Sequence, residues 1–158
     1  MRVRNRLLNF LDPPDLAAIA PHLVPVELPV RTVMQRPYER IEAVYFVENG
    51  LVSMVTFSGS EHIEVGVVGH EGYSGVPAIL GTNVAPYEAV MQVAGSALRI
   101  SVDALSRISA RSPRLTSTLL RFVNVTLLQV SHTALANGRN TVEQRLARWI
   151  LMAHDRVD

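Results

Sequence analysis

The stretch Gly69-His70-Glu71-Gly72-Tyr73-Ser74-Gly75-Val76-Pro77 places three glycines ahead of a short apolar run. Glycines at such spacing let backbone N–H groups converge on a small anion, the chemistry of a phosphate cradle. A cradle of that kind also needs a cation, and none follows. From Gly72 to Ala97 the chain has neither Arg nor Lys.

The five histidines, His22, His62, His70, His132 and His154, do not fall into a metal-ligand pattern. A small β-sandwich enzyme of the cupin type holds its metal with a His-x-His pair, a later Glu and a later His. The nearest approach here is His62-Ile63-Glu64, with no second His two residues away. His70 and Glu71 are adjacent, and on a strand adjacent side chains point to opposite faces. With no cysteine there are no disulfides, thiolate metal sites or Cys nucleophiles. A Walker loop, an H-E-x-x-H pair and a Ser/His/Asp arrangement are all absent from the sequence. A haem would need an axial His or Met in the sandwich or on a helix, and nothing singles one out. The expectation is a binding protein without metal or cofactor, not an enzyme. A small cupin-like metal-dependent enzyme is the second reading.

The elements that must position these residues follow from periodicity. The 158 residues are 48% hydrophobic and 18% charged, enough for one domain with a core and an appendage. Every basic side chain apart from histidine is arginine, and the net charge of +1 argues against electrostatic binding of DNA or membrane. No apolar run approaches membrane-spanning length. The basic start, MRVRNRLLNFLDPP, is too broken for a signal peptide. A cytoplasmic protein is expected. Residues 13–22 read as a short helix starting at proline. From Val24 to Val102 the period is two, over segments such as AVYFVENG, LVSMVTFSG, HIEVGVVG, YEAVMQVAG and SALRISV. Asn49-Gly50, Ser58-Gly59-Ser60 and Ala94-Gly95 read as turns between them, with Asn49-Gly50 the strongest hairpin signal. The result is a mainly β fold with helices: a small antiparallel sandwich, jelly roll or barrel.

A helical stretch opens at SVDALSRIS, and a longer helix runs from Ser112-Pro113 to about Asn137-Gly138. Within it Leu120, Val123, Leu127, Val130 and Ala134 repeat at spacings of three and four, a coiled-coil seam. Leu119, Phe122, Leu128 and Leu135 widen the apolar arc. A helix of about 25 residues is roughly 37 Å long, more than one small sandwich can cover on two faces. One face is therefore expected on the sandwich and the other on a second copy, making a homodimer. Thr141 and Gln144 form a capping box for a last helix, with Leu146, Trp149, Ile150 and Ala153 on its apolar face. Its partner is expected outside the chain, in an absent domain.

This order resembles the Crp–Fnr family of bacterial transcription regulators. The carriers are VYFVENGLVSMV (44–55), GVVGHEGYSGVPAILG (66–81), VMQVAGSALRIS (90–101) and TVEQRLARWILMAHDR (141–156). The resemblance implies a double-stranded β-helix (a cyclic-nucleotide-binding-like jelly roll) over residues 1–111, a dimerisation helix over 112–138, and over 139–158 a hinge with the first helix of a DNA-binding domain absent from this chain. DNA would be bound only through that domain. In nucleotide-binding members a Gly-Glu pair is followed about ten residues on by Arg-Ser or Arg-Thr, then Ala. Here Gly75 matches the glycine, but Val76 stands in place of the Glu. Ala89 matches the alanine, while Tyr87 and Glu88 stand in place of Arg and Ser/Thr. The implied ligand pocket is thus a degenerate cradle of Gly72, Gly75, Val76, Pro77, Tyr87, Glu88 and Ala89, with Ser131 and His132 of the long helix in the matching place. Charged hydrogen bonds are worth about 1.5–3 kcal/mol each, so losing two removes orders of magnitude in affinity. Neither cAMP nor cGMP is expected to bind unless Arg99 or Arg121 reaches the site, and the effector is unknown.

Overall fold

A computed structural model describes residues 3–157 of the chain. Helix α1 (Arg6–Asn9) is capped by Asn5, and α2 (Pro13–Ile19) starts at its two prolines and runs into a 3₁₀ turn at Ala20–His22. Six strands follow: β1 (Val24–Leu28), β2 (Val33–Gln35), β3 (Ala43–Ser58), β4 (Glu61–Val68), β5 (Tyr73–Ser74) and β6 (Glu88–Ser101). The four-residue α3 (Val76–Ile79) lies between β5 and β6. Helices α4 (Val102–Ser109), α5 (Pro113–Arg139) and α6 (Val142–His154) complete the chain. The strands pair antiparallel in the order β1-β6-β3-β4, with β2 on β6 and β5 on β3. The fold is a cyclic-nucleotide-binding-type jelly roll followed by a long helix.

Two expected turns are not turns. β3 runs through Asn49-Gly50 and β6 through Ala94-Gly95, so segments read as separate short strands join into two long ones. Gly50 takes φ +84°, and a side chain on Gly95 would run into the backbone of Asn49. The ladder between β3 and β6 shifts register on both sides of Asn49. The glycines mark the bulged corner where both strands change direction. The hairpin at Ser58–Ser60 is real, with Gly59 at positive φ.

The helices start where their caps dictate. Ser101 accepts from the Ala104 N–H, and Ser112 from the Leu115 N–H ahead of Pro113. Thr141 and Gln144 close the capping box of α6. One apolar core joins the layers: Val44, Phe46, Tyr73, Met91 and Ile100 from the strands meet Leu105 of α4 and Leu115, Leu119, Phe122 and Val123 of α5. At 27 residues and 1.5 Å per residue, α5 is about 40 Å long, and its first half belongs to the same core as the sandwich.

Candidate functional site

Two of the three glycine N–H groups of the turn at 69–76 already have partners. The Gly69 N–H donates to the Glu71 carboxylate at 3.1 Å, and the Gly72 N–H to the Gly69 carbonyl at 3.2 Å. The Gly72 carbonyl accepts from Asn5 Nδ2 at 2.7 Å and from the Val47 N–H at 3.2 Å. The same Asn5 amide, fully buried, also donates to the Val47 carbonyl at 2.8 Å. Gly72 is glycine because a Cβ there would fall inside the Phe122 ring of α5. Beyond it, Pro77 has no N–H, and the Ala78 N–H turns back to the Gly75 carbonyl at 3.0 Å. Gly72 thus serves helix packing, whereas an anion cradle would leave its backbone donors open.

A cation does reach this turn, from a residue the sequence pattern did not single out. Arg156, just past α6, donates from Nε to Glu71 at 2.7 Å, and both side chains are largely buried. His70 is buried, with Nδ1 3.1 Å from the Arg156 carbonyl. His70 and Glu71, expected on opposite faces of a strand, sit instead in a turn that brings both to the same arginine. The charge missing from the cradle is present but neutralised by the chain's own carboxylate.

The remaining cradle residues pack apolar. Val76, Pro77 and Ala89 are buried, with Met91 beside them in the core. Tyr87 packs against that core, and burial pushes its phenol up to about 12. Burial raises Tyr73 further still; its hydroxyl donates to the Leu119 carbonyl at 3.0 Å, and its ring meets Phe122 at 4.8 Å. By strand alternation Glu88 points to the face opposite Ala89. Arg99 is half-buried opposite Tyr45 near the far end of β6, and Arg121 is exposed on α5. The polar group that does stand at the cradle is Gln35. It lies opposite Ala89 on β2, is 4% exposed, and has Nε2 against Gly75; neither amide atom has a hydrogen-bond partner. A lone Gln inside the apolar strand pattern of VMQ was the signal for it.

The long helix has two faces. Phe122, Gln129 and Ala136, seven residues apart, lie along the docked face. Gln129 receives the Val67 N–H at 2.7 Å and donates to the Val67 carbonyl at 3.1 Å, pairing with the β4 backbone as a strand would. Ser131 and His132 are exposed on the other side, and Ser131 Oγ donates to the Leu127 carbonyl at 2.8 Å. Helical phase sets this difference, because residues two and three beyond Gln129 turn away from the sheet. Of the expected seam, Leu120, Leu127 and Ala134 are exposed, Val130 is half-buried, and Val123 lies in the chain's own core. Leu128 and Leu135, 53% and 63% exposed, extend the outer stripe.

Helix α6, expected to seek a partner outside the chain, folds back onto β4 and α5. Trp149 Nε1 donates to Glu64 at 2.7 Å, Glu64 also accepts from Ser53 Oγ, and Arg148 donates to Thr133 at 3.2 Å. Val142, Leu146 and Ile150 remain exposed beside that contact. Among the described residues no three His, Cys, Asp or Glu lie close enough to hold a metal ion, and no helix is long and apolar enough to cross a membrane.

No protein-family profile matches the sequence, and no curated protein matches it. Solved structures do match. The c-di-GMP-responsive global regulator CLP of Xanthomonas campestris is 18% identical, with a TM-score of 0.72 over 88% of this chain and 70% of that one. A CooA mutant from Carboxydothermus hydrogenoformans is 12% identical, with a TM-score of 0.67 over 95% and 97%. The N-terminal domain of a transcriptional regulator from Streptomyces coelicolor A3(2) is 19% identical, with a TM-score of 0.60 over 87% and 97%. At these identities the likeness is one of fold.

Proposed function

We propose that this chain is the sensor and dimerisation region of a Crp–Fnr-type bacterial transcription regulator, a regulatory module and not an enzyme. In this reading residues 1–111 sense, 112–138 dimerise, and 139–158 lead into a DNA-binding domain beyond Asp158. The protein works in the cytoplasm as a homodimer, and DNA is read only by that further domain. The observation that carries the reading is the outer face of α5, where Leu120, Leu127, Leu128 and Leu135 are each more than 40% exposed along one stripe. Contiguous leucines of this kind are covered in a working protein. In this reading a second copy of the chain is the cover. Two parallel copies of α5 would fix the separation of two DNA-reading domains and so match them to a two-fold symmetric site. α6, held by Glu64 and Glu71, ties that separation to the state of the sandwich.

The sandwich itself is not a cAMP or cGMP receptor. The N–H groups of Gly69 and Gly72 are engaged, Arg156 is paired with Glu71, and Tyr87 stands where the family's arginine would be. The test is sedimentation velocity on the chain and on Leu127→Arg. The wild type should sediment as a dimer and Leu127→Arg as a folded monomer. A monomeric wild type, or a dimer indifferent to Leu127→Arg, would contradict the proposal.

A further inference from the structure

Three arginines stand where α4 gives way to α5, and they differ in what answers them. Arg114, in the first turn of α5, donates to Asp12 just ahead of α2. Arg107, in the last turn of α4, and Arg111, just past it, have no such answer. Among the described residues neither side chain makes an ion pair or a hydrogen bond, and Asp103, one turn before Arg107, does not pair with it. Both line a cleft of about 250 Å³ between α2 and α4, which His22 of the 3₁₀ turn lines from the α2 side. Ala18, Ala104 and Ile108 make up the rest of its lining, so no carboxylate shares it. The two ends of α2 are thus unlike. At its start Asp12 meets Arg114, and the buried Asp15 accepts from Ser112 Oγ at 2.6 Å. At its end two permanent cations and an imidazole gather with no acid, and like charges around one cleft repel until an anion joins them.

We propose that this cleft binds the phosphate group of a small phosphorylated molecule. A guanidinium fork matches two phosphate oxygens, and a phosphate dianion brings one negative charge for each of the two arginines, where a single carboxylate brings only one. The His22 ring carries an N–H for a remaining oxygen. At this volume the cleft takes the phosphate and leaves the rest of the molecule in solvent, since sites that enclose a whole ligand run to roughly 300–1,000 Å³. Nucleic acid is a poorer match: it needs a run of cations along its backbone, and the whole chain carries a net charge of only +1. The site also has a mechanical consequence. Arg111 directly precedes Ser112, the cap of α5, so a phosphate that holds α2 and α4 together braces the root of the long helix. Binding goes beyond the regulator reading, which enters only in what that bracing would do to a dimer.

The test is an NMR titration of the chain with inorganic phosphate and with glycerol 3-phosphate, at constant ionic strength, reading the arginine Nε–H and histidine ring signals. The expected result is saturable shifts at Arg107, Arg111 and His22 but not at Arg114. Two charged contacts of ordinary strength correspond to a dissociation constant of about 1 mM. Arg107→Gln and Arg111→Gln, both at exposed positions, should each weaken binding about tenfold with the fold intact. Arg111→Lys, which keeps the charge and loses the fork, should fall between. Four results would each overturn the proposal: no saturable shift up to about 20 mM of either probe, the same shifts with chloride, binding indifferent to both glutamine variants, or a DNA duplex binding there more tightly than glycerol 3-phosphate at equal phosphate concentration. Sedimentation of the chain without phosphate reads the dimer independently, so failure of this site and failure of the regulator reading are told apart.

Discussion

The glycine turn at 69–76 and the outer face of α5 both advertise a partner in the sequence, one an anion and the other a second helix. Structurally they are opposites. The turn is used from within: Asn5 holds its carbonyl, Glu71 takes its first N–H, Phe122 fills the space over Gly72, and Arg156 meets Glu71. The outer face of α5 has no such internal cover, and Leu127 is 60% exposed. The lesson is that a motif points outward only where its groups are left without partners inside.

The contrast can be broken from either side. The largest effect is expected on the open face. Burying a leucine is worth about 1.5–3 kcal/mol, and Leu127→Ala removes one from each copy of a dimer. Its dissociation constant should weaken on the order of 100-fold or more in a sedimentation-equilibrium dilution series, with the monomer fold intact. Phe122→Ala acts on the closed region instead. It empties the space over Gly72 and should cost about 3–5 kcal/mol of folding stability by urea denaturation; an unchanged midpoint would mean that the turn does not depend on the helix. Glu71→Ala is smaller, about 1 kcal/mol or somewhat more for a partly screened pair. It should speed amide exchange in α6 selectively, because Arg156 and the Gly69 N–H both lose their partner. A further effect appears only at alkaline pH. The folded phenols of Tyr73 and Tyr87 lie above the ordinary 10.0. The denatured chain therefore releases protons that the folded chain keeps, so stability holds below pH 10 and falls as pH rises from there through about 12. Tyr87→Phe should make that decline shallower.

Much of the architecture was legible because it is local. The short helix at 13–22, the period-two stretch, the Ser112-Pro113 start of α5 and the Thr141/Gln144 box depend on neighbours in sequence. What was not legible depends on residues far apart. His70 and Arg156 are 86 positions apart, and Asn5 and Gly72 are 67 apart; no periodicity encodes such pairs. Asn49-Gly50 misled because a bulged corner and a hairpin turn ask for the same residues. Likewise the three-four spacing of α5 holds for either face of a helix that is apolar on both. Spacing alone placed Val123 in the seam, whereas its side chain is in the core and Leu128 and Leu135 stand outside. Gln35 was missed because an amide in a strand looks unremarkable until its partners are sought.

The central claim is that the turn, with the Gly69 and Gly72 N–H groups engaged and Arg156 paired with Glu71, does not hold a cyclic phosphate. Calorimetric titration of the chain with cAMP and with cGMP tests it most directly. The expected result is no heat of binding up to millimolar nucleotide. Micromolar binding of either would contradict the account, and would mean that Glu71 yields Arg156 or that a more distant arginine moves in.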